Sequence, residues 1–531
     1  MDLSLTFGTW MLALMPILVV VVLMLAFRWG GSRAGGMGWF VAVLVARLFF
    51  GAGFELLAVA QIKAVLLSLD VLLIIWMALF LFNISKEAGA IRLIGQAMPR
   101  LTDDRVMQSI LIGWLLVTFL QGMGGFGVPV AVCAPILVGL GFSPIQAVAM
   151  ASLGDGWSVT FGSLATSFQT LIAVTGLPGE MLAPLSALIL GIVAFPSGLL
   201  VVVIGNGWKS LKKAFLPVLL LTVVMGVTQY LLATNSLWTL GSTGAGVVGL
   251  VGGFLMLRLP RYRNHHDEVP VHQLEASEDG SIDHPKRIWL SLVGYALLVV
   301  LAFTVNLVKP ISAFLDQVAF TLQFPEVMTD FGWMTPAGPG RVIHLFGHPG
   351  AILFYTCVIS YGFYRAIGLI KPGSLGRVLG RVAKSGVGSS LGILAMVGVA
   401  SIMLHSGMTY LLAEGLAVSF SREFYPVVAP FIGALGAFIT GSNTNSNVLF
   451  AVLQMNSAEL LNLSVPLVLA AQTAGASFGS VLAPAKVIVG CSTVGLSGEE
   501  GVVMRKILGY GLITIAAVSL VTYILFMLTR G

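Results

Sequence analysis

Charge is what this sequence has least of: Asp, Glu, Lys and Arg make up 9% of its 531 residues, against about 25% in an average soluble domain. Hydrophobic residues make up 57%, and a soluble fold could not hide that much apolar surface. Cysteine is scarce too. Cys133, Cys357 and Cys491 lie far apart in apolar stretches, which fits neither a disulfide framework nor a metal site. Absent as well are a Walker motif, a metal-binding His pair within the spans, an acid-rich prenyl-phosphate motif and a Ser-His arrangement. Direct ATP drive and intramembrane catalysis therefore have no support, and no catalytic residue, metal or cofactor is expected. The net charge of +6 is scattered through loops rather than gathered on one face, so nucleic acid is not an expected partner.

What is present is a succession of apolar runs, each about 20 residues long, the length that crosses a bilayer as a helix. Candidate spans are Met11–Phe27, Trp39–Ala60, Ala64–Phe82, Leu185–Ile204, Leu216–Leu232, Leu237–Leu257, Ile288–Leu307, Ile352–Ile370, Leu391–Leu404 and Leu508–Leu528. The first is too long for a secretory h-region and is expected to be a retained helix. Basic clusters at Arg28/Arg33, Lys86 to Arg105, Lys209 to Lys213, Arg258 to Arg263 and Lys371 to Lys384 alternate with these runs. By the positive-inside rule both termini lie outside and the mixed-charge linker up to Arg287 is cytoplasmic. Arg47, Glu55 and Asp70 fall inside spans, where structural pairing is expected.

Two stretches refuse to be simple helices. The first holds Gln121-Gly122, Gly124-Gly125-Phe126-Gly127, Pro144 and Thr160-Phe161-Gly162-Ser163; the second holds Thr440-Gly441, Ser442-Asn443-Thr444-Asn445-Ser446-Asn447, Pro466 and Pro484-Ala485-Lys486. Gly122 and Gly441, Pro144 and Pro466, and Gly162 and Pro484 recur at nearly one offset, a weak internal repeat. The segments flanking each glycine motif run about 16 residues, roughly 24 Å as helix, too short for a hydrocarbon core of about 30 Å. Each pair predicts a re-entrant hairpin (106–141 and 425–461) with its tip at Gln121–Val128 or Thr440–Asn447. A helix broken near Asp155–Ser163 or Gly475–Pro484 follows (144–177 and 466–489), since non-helical backbone at membrane depth must line a cavity or be packed in protein. The short segments Ile84–Met98 and His405–Phe420 share the offset and suit an interface.

The fold expected is thus all-α and polytopic, with about 12 spans and two hairpins in inverted-topology repeats of elevator type. The first repeat is 1–205 and the second 288–531; residues 206–287 carry two extra helices and the linker. Half-helix ends offer N–H groups to an anion and carbonyls to a cation, and the hydroxyls and amides around them suit a small hydroxy- or keto-carboxylate. The expected substrate-binding residues are Gln121, Gly124, Gly125, Gly127, Thr160, Ser163, Thr440, Ser442, Asn443, Thr444, Asn445, Ser446, Asn447, Gln472, Thr473, Ser477 and Lys486. Lys486 needs an anion, either the substrate carboxylate or Asp155; Asp155 is the candidate coupling site or, alternatively, a helix cap.

Gly125-Phe126-Gly127-Val128-Pro129-Val130-Ala131, Leu137-Val138-Gly139-Leu140-Gly141-Phe142 and Thr440 through Phe450 resemble the lactate permease family of ion-coupled carboxylate transporters. Val494-Gly495-Leu496 and Gly498-Glu499 are similar as well; together the strings cover about a quarter of the chain. The resemblance implies proton-coupled uptake of L-lactate, and in related members of D-lactate or glycolate, across the cell inner membrane. Asp155 and Lys486 stand where that family usually has uncharged residues. Ser442-Asn443-Thr444 resembles more distantly the hairpin tip of sodium-coupled dicarboxylate transporters, which keeps sodium coupling and a dicarboxylate substrate as alternatives. A passive channel or an intramembrane enzyme is the competing class. The partners expected are the carboxylate and the lipid bilayer, and a homodimer is compatible with the sequence.

Overall fold

The computed structural model describes residues 4–27, 29–89, 102–124, 127–259, 290, 293–340, 342–496 and 500–529. Gly125, Phe126, most of the Ile84–Met98 segment and the Arg258–Arg287 linker lie outside them. The chain is a polytopic helical protein. Among the described residues, nine helices are long and apolar enough to cross a membrane.

The chain opens with α1 (Phe7–Leu25), α2 (Gly31–Phe49) and α3 (Phe54–Glu87). One run expected as a span, Trp39–Ala60, is divided here. Gly51 has φ +64° and its carbonyl accepts from Asp330 N at 2.9 Å, so the chain turns at 50–53 and α3 continues for 34 residues. Next come α4 (Arg105–Met123), which carries a π-helical turn at Leu111–Leu116, and α5 (Val128–Gly139). They are followed by α6 (Pro144–Asp155), α7 (Gly162–Thr175), α8 (Gly179–Asn206), α9 (Leu211–Thr234) and α10 (Gly241–Met256).

After α11 (Val293–Leu307) and α12 (Lys309–Leu315), three nested two-residue ladders form one antiparallel ribbon: Ala319–Phe320 with Ile343–His344, Gln323–Phe324 with Gly338–Pro339, and Val327–Met328 with Met334–Thr335. No apolar periodicity announced this ribbon. The chain then forms α13 (Pro349–Ala366), α14 (Ser374–His405), α15 (Met408–Ser419), α16 (Tyr425–Thr440), α17 (Asn443–Leu460), α18 (Val465–Val481), α19 (Pro484–Thr493) and α20 (Glu500–Leu528). The expected span Leu391–Leu404 is only the second half of α14, because Ser374 to Ser390 continue the same helix.

The order α2-α3 then α4 to α8 recurs as α13-α14 then α16 to α20. The packing is reciprocal too: α3 runs along α14, α2 lies on α14, and α13 lies on α3. Asp70 on α3 meets His348 Nε2, at the N-cap of α13, at 2.9 Å. Arg47 stacks over the Phe54 ring at 5.6 Å.

Small residues let the hairpins sit against the broken helices. Along α16 and α18, Gly475 faces the Pro430 carbonyl and Gly479 faces that of Ala434, with no room for a Cβ at either glycine. Gly475 was expected at the second break; α18 in fact runs on to Val481, and the break is confined to Leu482–Ala483 before Pro484. Gly475→Ala should therefore act through packing. It should push α16 from α18 and cost about 1–3 kcal/mol, the usual price of overpacking. A lower apparent melting temperature of the purified protein in detergent is the expected reading, and an unchanged one would contradict the close approach.

Candidate functional site

A cavity of about 740 Å³ opens where the two hairpin tips and the two helix breaks meet α2, α3 and α14. Local sequence builds each part. At the first tip α4 ends at Met123, and Gly127, with φ +79°, starts α5. Gly122 and Gly124 leave no room for a Cβ beside the Thr243 backbone and the Phe82 ring, which brings this tip close to α10 and α3. At the second tip Gly441, with φ +72°, turns the chain, and the Ser442 hydroxyl caps α17 by accepting from Asn445 N at 3.3 Å.

The turn of the second tip is only Thr440–Ser442. The following polar run is the first turn and a half of α17. Helical spacing then separates its side chains: Asn443 and Asn447, four residues apart, point the same way. Asn443 Nδ2 donates to Thr160 Oγ1 at 3.0 Å and to the Thr473 carbonyl at 3.3 Å. Asn447 Nδ2 donates to the Ser167 carbonyl and to Thr473 Oγ1, both at 3.0 Å.

The first break passes through a 3₁₀ turn at Gly156–Ser158 and three successive left-handed residues, Ser163, Leu164 and Ala165, at φ 48°, 57° and 60°. Such conformations cost of order 1–3 kcal/mol each outside glycine, so surrounding bonds must hold them. They do. Ser477 Oγ donates to the Gly156 carbonyl at 2.7 Å and accepts from Thr160 N at 3.2 Å, while Thr160 Oγ1 donates to the Thr473 carbonyl at 3.1 Å. Side-chain and backbone groups of α18 thus satisfy the polar groups of the first break.

Lys486, at the start of α19 and 4% exposed, places Nζ 3.4 Å from Asp155 Oδ2 and 3.4 Å from Ser480 Oγ. Asp155 is fully buried at the end of α6, and its second oxygen, Oδ1, has no hydrogen-bond partner among the described residues. Lys486 lines the cavity and Asp155 does not. The ammonium therefore stands between the cavity and a carboxylate it only half satisfies.

Of the residues expected from sequence, Gln121, Gly124, Ser163, Thr440, Ser442, Asn443, Thr444, Asn445 and Lys486 line the cavity. Thr160, Asn447, Thr473 and Ser477 form the bonded layer described above. Ser446 and Gln472 lie further back: Ser446 Oγ donates to the Gly433 carbonyl at 2.7 Å, and Gln472 Nε2 donates to Ser446 Oγ at 3.2 Å. Gly127 faces Val489 rather than the cavity. Gly125 lies outside the described residues. Sequence inspection missed the far wall, including Phe82, Asn83 and Lys86 of α3 and Arg381 and Lys384 of α14. Its basic residues read as loop charges. A signal existed in the spacing of Arg377, Arg381 and Lys384, which continues a helix past its apolar run.

Hairpin tips, paired helix breaks and a buried charge pair beside a cavity define a polytopic helical membrane transporter. The sequence profile of the L-lactate permease family matches residues 9–529, and the chain belongs to that family. It is similar to the L-lactate permease of Halalkalibacterium halodurans, 27% identical over 524 residues, covering 97% of this chain and 96% of that one. Glycolate permease GlcA of Escherichia coli is 26% identical, with 96% and 94% covered. Among solved structures, the YdaH transporter of Alcanivorax borkumensis covers 86% of this chain and 85% of its own at 16% identity and a TM-score of 0.45.

Proposed function

We propose that the chain is a secondary active symporter importing a small monocarboxylate with protons across the bacterial cytoplasmic membrane, both of its termini lying outside. L-lactate is the foremost substrate, with D-lactate and glycolate beside it. The observation that carries this is Lys486 in the cavity wall with Asp155 sealed behind it. A substrate carboxylate and Asp155 compete for one ammonium. When the substrate takes it, Asp155 is left as a buried, unpaired anion, which costs several kcal/mol. A proton on Asp155 removes that charge. Substrate and proton then bind together because each lowers the cost of the other, which is reciprocal coupling.

Gln121 and Asn445 also line the cavity, and each has a carbonyl oxygen without a hydrogen-bond partner among the described residues. Such acceptors suit the hydroxyl of a 2-hydroxy acid, while Lys486 and the capped start of α17 suit its carboxylate. The cavity lies between the hairpin and broken-helix core on one side and α2, α3 and α14 on the other. Movement of that core against α3 and α14, with the two repeats inverted in the membrane, would expose the site alternately to each face.

Sodium coupling is the second reading. It is favoured by Asn447 Oδ1, a buried acceptor at the head of α17 without a partner among the described residues, which a cation could satisfy. Uptake of labelled L-lactate into liposomes, with pH and sodium gradients imposed separately, decides between them. Accumulation under the proton gradient alone supports the symport proposed; accumulation under sodium alone overturns its coupling ion, and accumulation under neither overturns it outright.

A further inference from the structure

The far wall of the cavity carries more positive charge than the pair Lys486–Asp155 can use. Lys86, at the end of α3, and Arg381 and Lys384, near the start of α14, all line it. Glu87 accounts for Arg381 and also binds Arg377 at 2.9 Å. Lys86 and Lys384 have no ion-pair partner among the described residues, and both are exposed. The start of α2 lies on the same wall at Gly30, Gly31 and Ser32, with no side-chain cap on its first N–H groups. Two hydrated ammonium groups and an uncapped helix start therefore face one water-filled mouth, whose apolar sides focus their field. These residues belong to basic clusters that the positive-inside rule assigns to the cytoplasm.

The geometry points to a second anion subsite, a cytoplasmic vestibule in which Lys86 and Lys384 hold the carboxylate of a small anion between solution and Lys486. It rests on the carboxylate transport proposed above. Both lysines stand on α3 and α14 rather than on the hairpin core. They face the substrate only while the core presents its site to the cytoplasm, so their effect is sided. They raise the local concentration of substrate anions on the inner face and leave capture from outside to the hairpins.

The test is K86Q/K384Q in membrane vesicles of both orientations, with L-lactate flux measured from each face at low and at high salt. Arg377, Arg381, Arg28 and Arg33 stay in place, so the charge bias that orients the chain is kept. KM at the cytoplasmic face should rise about three- to tenfold at low ionic strength, while KM at the outer face stays at the wild-type value. Near 1 M salt, where the screening length falls to about 3 Å, the difference should vanish. K86R/K384R should restore the wild-type KM. An unchanged inner KM, an equal rise on both faces, a rise confined to the outer face, or a rise that survives high salt would each overturn the subsite. A wild-type protein that moves no lactate would instead overturn the transport it rests on.

Discussion

Lys486→Met should abolish lactate binding while leaving the protein in the membrane. Among the described residues the ammonium is the one cation in the cavity wall that is itself buried, at 4% exposure, and a charge-assisted hydrogen bond to a carboxylate is worth about 1.5–3 kcal/mol. Its loss predicts an affinity lower by about 100-fold, measured by binding of labelled lactate to the purified protein. The variant should also be less stable, because removing one partner of a buried pair leaves the other charge uncompensated, at about 3–5 kcal/mol. Lys486→Met with Asp155→Asn removes both charges and should recover thermal stability without recovering binding. That double variant separates a substrate ligand from a structural strut: if it binds lactate as the wild type does, Lys486 only held Asp155.

Asp155→Asn should uncouple transport from protons. If one proton accompanies each substrate, as proposed, a gradient of one pH unit, acid outside, should supply about 1.4 kcal/mol and support roughly tenfold accumulation. Asn cannot take up the proton. It leaves Lys486 available to the substrate at every pH, so exchange of internal for external lactate should continue while gradient-driven accumulation falls to about the external concentration. The sign follows from the pair. Uptake by the wild type should rise as the outer face is acidified, and that dependence should be lost in the variant. Retained accumulation under a pH gradient would exclude Asp155 as the coupling group.

The Asp155–Lys486 contact shows where sequence inspection stops. Both residues stand out as charges in apolar stretches, and their pairing was one of two options open for Lys486. Seeing the contact needed the fold, because the two are 331 positions apart and meet only when the helix breaks cross. The Thr160–Asn443 contact is similar, joining a break of the first half to a tip of the second across 283 positions. Within the polar run after Ser442 the composition was plain, but the division of labour was not. Once Asn443–Leu460 is helical, its period turns Asn447 with Asn443 toward the first break and α18, and leaves Asn443, Thr444 and Asn445 on the cavity wall.

Lys86 and Lys384 carry the same lesson in the other direction. As sequence they are loop charges that orient a membrane protein; as structure they lie on helices of 34 and 32 residues that extend past the apolar run and form the cavity mouth.

The sequence by itself determined that this is a membrane protein and that two polar stretches at nearly one offset interrupt its apolar runs. Hydrophobicity and the backbone effects of glycine and proline act over a few residues and can be read locally. Only the tertiary structure decided which polar groups face the cavity, which bind each other, and which cation stands in front of the buried carboxylate. Those outcomes depend on helices from opposite ends of the chain packing within a few ångströms, and no local preference encodes that.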